Sequence, residues 1–306
     1  MNYPKRLDIE ITRKCKYKCG VCSVRANSII EKEEISLETI QNKVKEFSEL
    51  GGKEVSITGG EPSERGVDFL AKLIKFSKNL NLKVRMYCVG YGFQKFEDVH
   101  MLKDAGLDLV IITLAGPKEV DEQYKGVKGS YKIAINAIEL FRKNKIQVII
   151  HFTPTKPTYK HLPYVVDMAY QLGVEKIRIM SFVPQGRGWD NRHLFEMNSA
   201  EKEEFNEILK EIKSKNEIDL QFSGIFDENE AGESSCMIAK NRFVITSDGL
   251  LIPTFAVRMD KEKEYPLPQF ILGTVKDTML SYAWNSCLLT KARNSCTCGV
   301  CDHCKK

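Results

Sequence analysis

The sequence predicts an α/β fold in which parallel strands are buried by helices, as a sheet or a partial barrel, with a smaller cysteine-rich α+β segment behind it. Three observations predict it. Six strand-like runs alternate with helical patterns over roughly residues 1–220. Those runs are largely apolar throughout, as strands covered on both faces must be. Beyond residue 220 the β–α rhythm stops, and four of the ten cysteines crowd into the last eleven residues. A soft boundary there separates a first domain, 1–220, from a second, 221–306.

The elements follow in order. LDIEIT (7–12) is the first strand, reached without any leading apolar segment. The helix expected at 36–50 has Ser36 as N-cap, Glu38 in its first turn, and Leu37, Ile40, Val44 and Phe47 at helical spacing. Leu50-Gly51-Gly52 is its stop. Strands are then expected at 54–58 (EVSIT), 83–88 (KVRMYC), 107–114 (LDLVIITL), 146–153 (IQVIIHFT) and 175–182 (EKIRIMSF). Helices at 67–79, 94–104, 131–143 and 161–172 separate them, and a strongly charged helix follows at about 200–214. NRFVITSDGLLIPTF reads as a hairpin turning at Ser-Asp-Gly, and TMLSYAWNSCLLTKAR as one helix.

Composition narrows the class. Hydrophobic residues make up 42% and charged residues 28%, which suits a globular chain with a real core. The 46 basic residues are interleaved with 41 acidic ones, so the net charge of +5 argues against a nucleic-acid surface and leaves room for an anionic substrate. No signal peptide is visible and no apolar run is long enough to cross a bilayer. The expectation is a cytoplasmic protein with no membrane partner. Without a secretory signal, two tight cysteine clusters read as metal or iron–sulfur ligands rather than disulfides.

The first cluster is RKCKYKCGVC, with Cys15, Cys19 and Cys22 spaced C-x3-C-x2-C after the first strand. Thiolate is a soft ligand suited to zinc or iron–sulfur clusters. A structural zinc site wants four ligands, and the loop offers three cysteines and no histidine. Three thiolates on a cubane of four irons leave one iron open to another ligand; the alternative is a zinc knuckle completed by a remote cysteine. A second motif, SITGGEP (56–62), ends the second strand. Gly59 and Gly60 leave the backbone bare for a ligand's approach, and Glu61 offers a carboxylate to an ammonium. Alone, Gly-Gly-Glu-Pro is an ordinary strand-end turn.

Together these motifs resemble the radical S-adenosylmethionine (radical SAM) superfamily. The resemblance implies a (β/α)6 partial TIM barrel with its site at the C-terminal ends of the strands. It implies that Cys15, Cys19 and Cys22 hold a [4Fe–4S] cluster whose open iron chelates SAM. One-electron cleavage then yields a 5′-deoxyadenosyl radical that abstracts hydrogen from an organic substrate, the electron coming from a donor such as flavodoxin or ferredoxin. Val21 departs from the aromatic residue often found before the third cysteine, although an apolar side chain can still pack on adenine. The stretch VIITLAGPKEVDEQYKGVKG extends the match. It places Thr113 at the SAM ribose, with a strand threonine of high β-propensity as the plain alternative. It places Lys125 at the SAM carboxylate, with a solvated helix residue as the alternative. FVPQGRG (182–188) resembles a loop near adenine and brings in Arg187, with a Gly-rich connection as the alternative.

The tail from Cys236 onward resembles the SPASM/twitch extension that binds auxiliary clusters in this superfamily. Its C-x2-C-x2-C run, Cys298, Cys301 and Cys304, is ferredoxin-like. Gly249 fits the hairpin of that pattern, but Thr254 stands where a cysteine is expected. The ligand set for one auxiliary [4Fe–4S] cluster is then Cys236, Cys298, Cys301 and Cys304, with Cys296 as a substitute and a structural zinc ribbon as the alternative. Cys88 and Cys287 read as buried, inert thiols; either one, or Cys296, could instead donate hydrogen to a substrate radical. His303, between Cys301 and Cys304, reads as a loop residue, with an additional metal ligand as the alternative. For the substrate, the first reading is a peptide that acquires a cross-link, thioether or epimerised residue. The second is a small molecule such as a sugar or amino sugar undergoing dehydrogenation. The third, of another class, is a non-catalytic zinc-binding interaction module.

Overall fold

The computed structural model describes residues 3–27, 33–215, 218–223, 241–255, 270–286 and 289–290. Strand β1 (Arg6–Glu10) opens the chain and is followed by helix α1 (Leu37–Glu49), strand β2 (Glu54–Thr58) and helix α2 (Val67–Asn79). Strand β3 (Lys83–Cys88), helix α3 (Phe96–Ala105) and strand β4 (Leu109–Thr113) continue the alternation. Two helices, α4 (Lys118–Lys125) and α5 (Ser130–Lys143), stand where the periodicity predicts one, because Gly126 and Gly129 take left-handed backbone between them. Strand β5 (Gln147–Phe152), helix α6 (Leu162–Gln171) and strand β6 (Lys176–Met180) complete the six expected units. Short helices α7 (Arg187–Asp190) and α8 (Arg192–Phe195) precede the charged helix α9 (Ser199–Lys215).

The alternation does not end at α9. Strand β7 (Asp219–Ser223) pairs parallel with β6. The expected hairpin forms from β8 (Arg242–Ile245) and β9 (Leu250–Ile252), turning at Gly249 with φ of 86°. Its first strand pairs in parallel with β1, Leu7 opposite Phe243 and Ile9 opposite Ile245, and a two-residue strand β10 (Gly273–Thr274) edges the hairpin. One open ten-stranded sheet results, in the order β10-β9-β8-β1-β2-β3-β4-β5-β6-β7. Of the helix expected at 278–293, the described part is α10 (Leu280–Trp284), whose Trp284 packs edge-on to Phe243 at 5.2 Å. Cys236, Cys287, Cys296, Cys298, Cys301, His303 and Cys304 lie outside the described residues.

The sequence explains the layers. Period-two alternation sends Leu7, Ile9, Val55, Ile57, Val84 and Met86 to one face, where they join one buried core with the helices. Ile40, Val44 and Phe47 of α1 meet them; Ser36 caps that helix by accepting from the Thr39 amide at 3.1 Å. Cys88 belongs to this core, and burial raises its thiol well above the ordinary range. The opposite face carries Asp8, Ser56, Arg85, Tyr87, His151 and Arg178. That face is concave. Arg178 on β6 donates to the Tyr87 hydroxyl on β3 at 2.5 Å, across β4 and β5; three strand spacings in a flat sheet would span about 14 Å. Among the described residues no helix is long and apolar enough to cross a membrane.

Candidate active site

The chain leaves β1 at its C-terminal end and runs through residues 11–27 without regular secondary structure. Such a segment must find partners for its backbone groups elsewhere. From β2, the Gly60 and Glu61 amides donate to the Thr12 and Lys14 carbonyls at 2.7 and 2.9 Å. The approach is too close for any side chain: a Cβ on Gly59 would lie 2.4 Å from the Thr12 oxygen, and one on Gly60 2.4 Å from the Lys14 oxygen. Gly59 also has φ of 153°, open to glycine alone. The first demand on this glycine pair is therefore the cysteine loop itself.

Other parts of the chain hold the rest of the loop. The Lys18 amide donates to the Lys125 carbonyl at the end of α4, at 3.2 Å. Arg187 gives three bonds: its amide to the Cys22 carbonyl at 2.9 Å, Nε to the Cys19 carbonyl at 3.0 Å, and a terminal nitrogen to the Ala26 carbonyl at 2.8 Å. Asn191 donates to the Gly20 carbonyl at 3.1 Å, and Arg25 pairs with Asp190 at 2.7 Å. Asn27 closes the loop on itself: its Oδ1 accepts from the Cys15 amide at 2.9 Å, and its Nδ2 meets the Cys15 carbonyl. At the loop's root, buried Glu10 accepts from Arg13 at 3.1 Å and from the Ser247 hydroxyl at 3.0 Å, tying the hairpin turn to β1.

The three cysteines are half-buried. Burial, with the neighbouring thiols adding to it, pushes the Cys15 and Cys19 thiols up to about 12, while Lys125 and Arg187 pull Cys19 the other way. Bare thiolates are thus disfavoured, and a metal's positive charge is what would deprotonate them. Donors for bound sulfur are already placed, the Tyr17 amide at 3.4 Å from Cys15 Sγ and the Ala26 amide at 3.4 Å from Cys22 Sγ. Among the described residues, no three His, Cys, Asp or Glu side chains converge on a single-ion point, whereas tetrahedral zinc would draw its sulfurs to about 3.8 Å from one another. Three soft donors on one loop, with backbone amides already beside two of them, suit an iron–sulfur cluster or a zinc ion completed by a further ligand.

Two charged residues lie buried beside the loop. Glu61 has no solvent exposure; burial raises its carboxyl to about 7, against the lowering effect of the Val89 amide at 2.7 Å and the Ser63 hydroxyl at 3.1 Å. A carboxylate accepts about four hydrogen bonds, so Glu61 keeps capacity for a cationic donor. Lys125 is also fully buried, which removes the solvated-helix alternative. Its Nζ lies 2.8 Å from Asp121 Oδ2 but outside hydrogen-bond geometry, so the pair is electrostatic and donors remain unspent. Asp121 is anchored in turn by the Ala115 amide at 2.9 Å. Thr113, at the end of β4, stands in register with His151. Asn27, Asn191 and the Glu10–Ser247 contact have no sequence signal, since each acts on a backbone group or a distant partner.

With this geometry in place, comparisons with known proteins carry weight. The radical SAM superfamily matches residues 9–169, just over half of the chain. The chain is 24% identical over 285 residues to PqqA peptide cyclase of Gluconobacter oxydans, covering 92% of this chain and 76% of that protein. It is 25% identical over 178 residues to Fe-coproporphyrin III synthase of Methanosarcina barkeri, covering 58% of this chain and 44% of that one; it spans less than half of that relative's length. Among solved structures, Streptococcus suis SuiB bound to precursor peptide SuiA shares the fold with a TM-score of 0.76, over 96% of this chain and 68% of that chain at 16% identity. Native anSMEcpe with bound AdoMet does so with a TM-score of 0.75, over 94% of this chain and 82% of that chain at 19% identity.

The clamp on the loop is measurable without any cofactor assay. Arg187→Met removes two charged donors to buried carbonyls, an expected loss of about 2 kcal/mol in local opening free energy. Hydrogen exchange of the peptide spanning 15–27 is expected to speed up roughly 30-fold. An unchanged exchange rate would show that the loop does not depend on this residue.

Proposed function

The chain belongs to the radical SAM superfamily and is an enzyme of that superfamily, and we propose that it modifies a peptide substrate. In this reading Cys15, Cys19 and Cys22 hold a [4Fe–4S] cluster that leaves one iron for SAM. The single observation that carries the cluster assignment is the three-thiol loop, shaped from outside by Gly60, Glu61, Lys125 and Arg187. When bound, cluster and SAM supply a one-electron cleavage that generates a hydrogen-abstracting radical, with flavodoxin or ferredoxin as the class of electron donor. The chain's own residues bind and orient. Glu61, with carboxylate capacity to spare, receives the SAM ammonium, and Lys125, with unspent donors, meets the SAM carboxylate. Thr113 faces the ribose. Arg187, expected near adenine, spends Nε and one terminal nitrogen on the Cys19 and Ala26 carbonyls, so its role is to position the cluster loop.

The concave parallel sheet supports a (β/α)6 partial TIM barrel over residues 1–220, and the hairpin of β8 and β9 begins a cysteine-rich domain over 221–306. We assign Cys236, Cys298, Cys301 and Cys304 to an auxiliary [4Fe–4S] cluster. The peptide reading is supported by the length of the match to PqqA peptide cyclase, which takes in nearly the whole chain, and by the fold shared with SuiB, solved with its precursor peptide. A small-molecule reading draws on Fe-coproporphyrin III synthase, but that match covers 58% of the chain. In this reading the protein works in a reducing compartment, the cytoplasm, where thiols stay free to bind clusters.

Two measurements test these assignments. Cys19→Ala is expected to abolish 5′-deoxyadenosine formation on reduction with SAM; formation at the parent rate would remove the cluster from this loop. After anaerobic reconstitution, about eight irons are expected per chain and about four in Cys301→Ala. Zinc in place of the second four irons would make the tail a structural ribbon.

A further inference from the structure

Three of the four guanidinium groups on the concave face of the sheet have a carboxylate beside them. Arg6 pairs with Asp8 at 3.0 Å, Arg242 pairs with the other oxygen of the same Asp8 at 3.5 Å, and Arg85 pairs with Glu54. Arg178 stands apart. Among the described residues no carboxylate lies within ion-pair distance of it, and the partner it has is the neutral Tyr87 hydroxyl. Its charge is felt across the concavity: burial above all, then the charges of Arg6 and Arg178, bring Arg242 below the usual arginine range against the pull of Asp8. Arg178 is half-buried, and a cation drawn partly out of water gains from a counter-ion.

Next to Arg178, in register on β5, is His151. It is 8% exposed, and burial together with the Arg178 charge lowers its pKa to about 4, so it is neutral and supplies no compensation of its own. Its Nε2 lies 3.2 Å from the Thr153 hydroxyl, while its Nδ1 is buried with no hydrogen-bond partner among the described residues. Tyr87 meets the imidazole edge-on at 6.4 Å. An unmatched guanidinium fork, a neutral imidazole with an idle nitrogen and a phenol thus share one concave surface. The surface stands at the level of Thr113, two strands away, since Thr113 pairs with His151 and His151 with Arg178.

We propose that Arg178, His151 and Tyr87 form a recognition subsite for a carboxylate of the substrate. A planar carboxylate matches the guanidinium fork and can accept a second bond from an imidazole N–H. It would select the tautomer with the proton on Nδ1, leaving Nε2 to accept from the Thr153 hydroxyl. One carboxylate also provides the missing counter-charge. Given the peptide reading above, on which this step rests, the substrate is a peptide with an acidic side chain close to the reacting position.

The test uses the reconstituted full chain with SAM bound, under anaerobic conditions, and calorimetric titration. The probes are acetyl-Ala-Glu-Ala-amide and its Gln isostere, with glutarate and glutaramide as a second pair. The Glu peptide is expected to bind about tenfold or more tightly than the Gln peptide. That preference is expected to fall to about one in Arg178→Gln, and to persist in weakened form in Arg178→Lys, which keeps the charge but loses the fork. An Arg178-dependent preference for glutarate with no binding of the Glu peptide would uphold the carboxylate subsite and remove the peptide reading. No preference for carboxylate over amide in either pair, or a preference that survives Arg178→Gln, would overturn the subsite.

Discussion

The loop that carries Cys15, Cys19 and Cys22 has no regular structure of its own, and its shape is imposed by donors from elsewhere in the fold. Gly60 and Glu61 continue the β1–β2 pairing past the end of the strands, the end of α4 receives Lys18, and Arg187 and Asn191 close over the carbonyls of Gly20, Cys19, Cys22 and Ala26. Ordering the backbone costs about 1–2 kcal/mol per residue, and each neutral hydrogen bond returns about 1 kcal/mol, with charged donors returning more. The arginine is therefore the most valuable single donor in the clamp. If these bonds were absent, the loop that carries the three thiols would lose the partners that fix its backbone.

The same constraint connects the fold to the chemistry. Loop, glycine pair and α4 meet at the C-terminal ends of parallel strands because parallel pairing brings all those ends to one rim. Enclosure there raises the thiols of Cys15 and Cys19 and the carboxyl of Glu61. Each of these groups would be stabilised as an anion by a positive partner. At the same level of the rim, Arg178 has no carboxylate within ion-pair distance among the described residues.

Much of this was legible in the sequence, for stateable reasons. Strand alternation and helix periodicity located the six β–α units because each depends on local spacing, as with Ile40, Val44 and Phe47. The cysteine triad and the Gly-Gly-Glu-Pro turn were legible because their spacing is short-range. What escaped was long-range or brief. Arg187 and Asn191 act on carbonyls more than 160 positions away, and β10 is two residues long. The hairpin of β8 and β9 was visible as a hairpin, but its parallel pairing with β1 was not, since register between distant strands leaves no local trace. Lys125 on a helix reads equally as a solvated residue until Asp121 is placed beside it. For the glycine pair, bareness was legible, whereas its close approach to the backbone of Thr12 and Lys14 left no trace in the sequence.

The central claim is that the loop holds a cubane with one iron free for SAM, and electron paramagnetic resonance of the reduced protein tests it most directly. A cluster bound by Cys15, Cys19 and Cys22 is expected to give a spin-one-half signal whose g-values shift when SAM is added, and a triple replacement of those cysteines by alanine is expected to lose that component. A signal that SAM leaves unchanged, or a loop that carries zinc and gives no signal at all, would contradict the account.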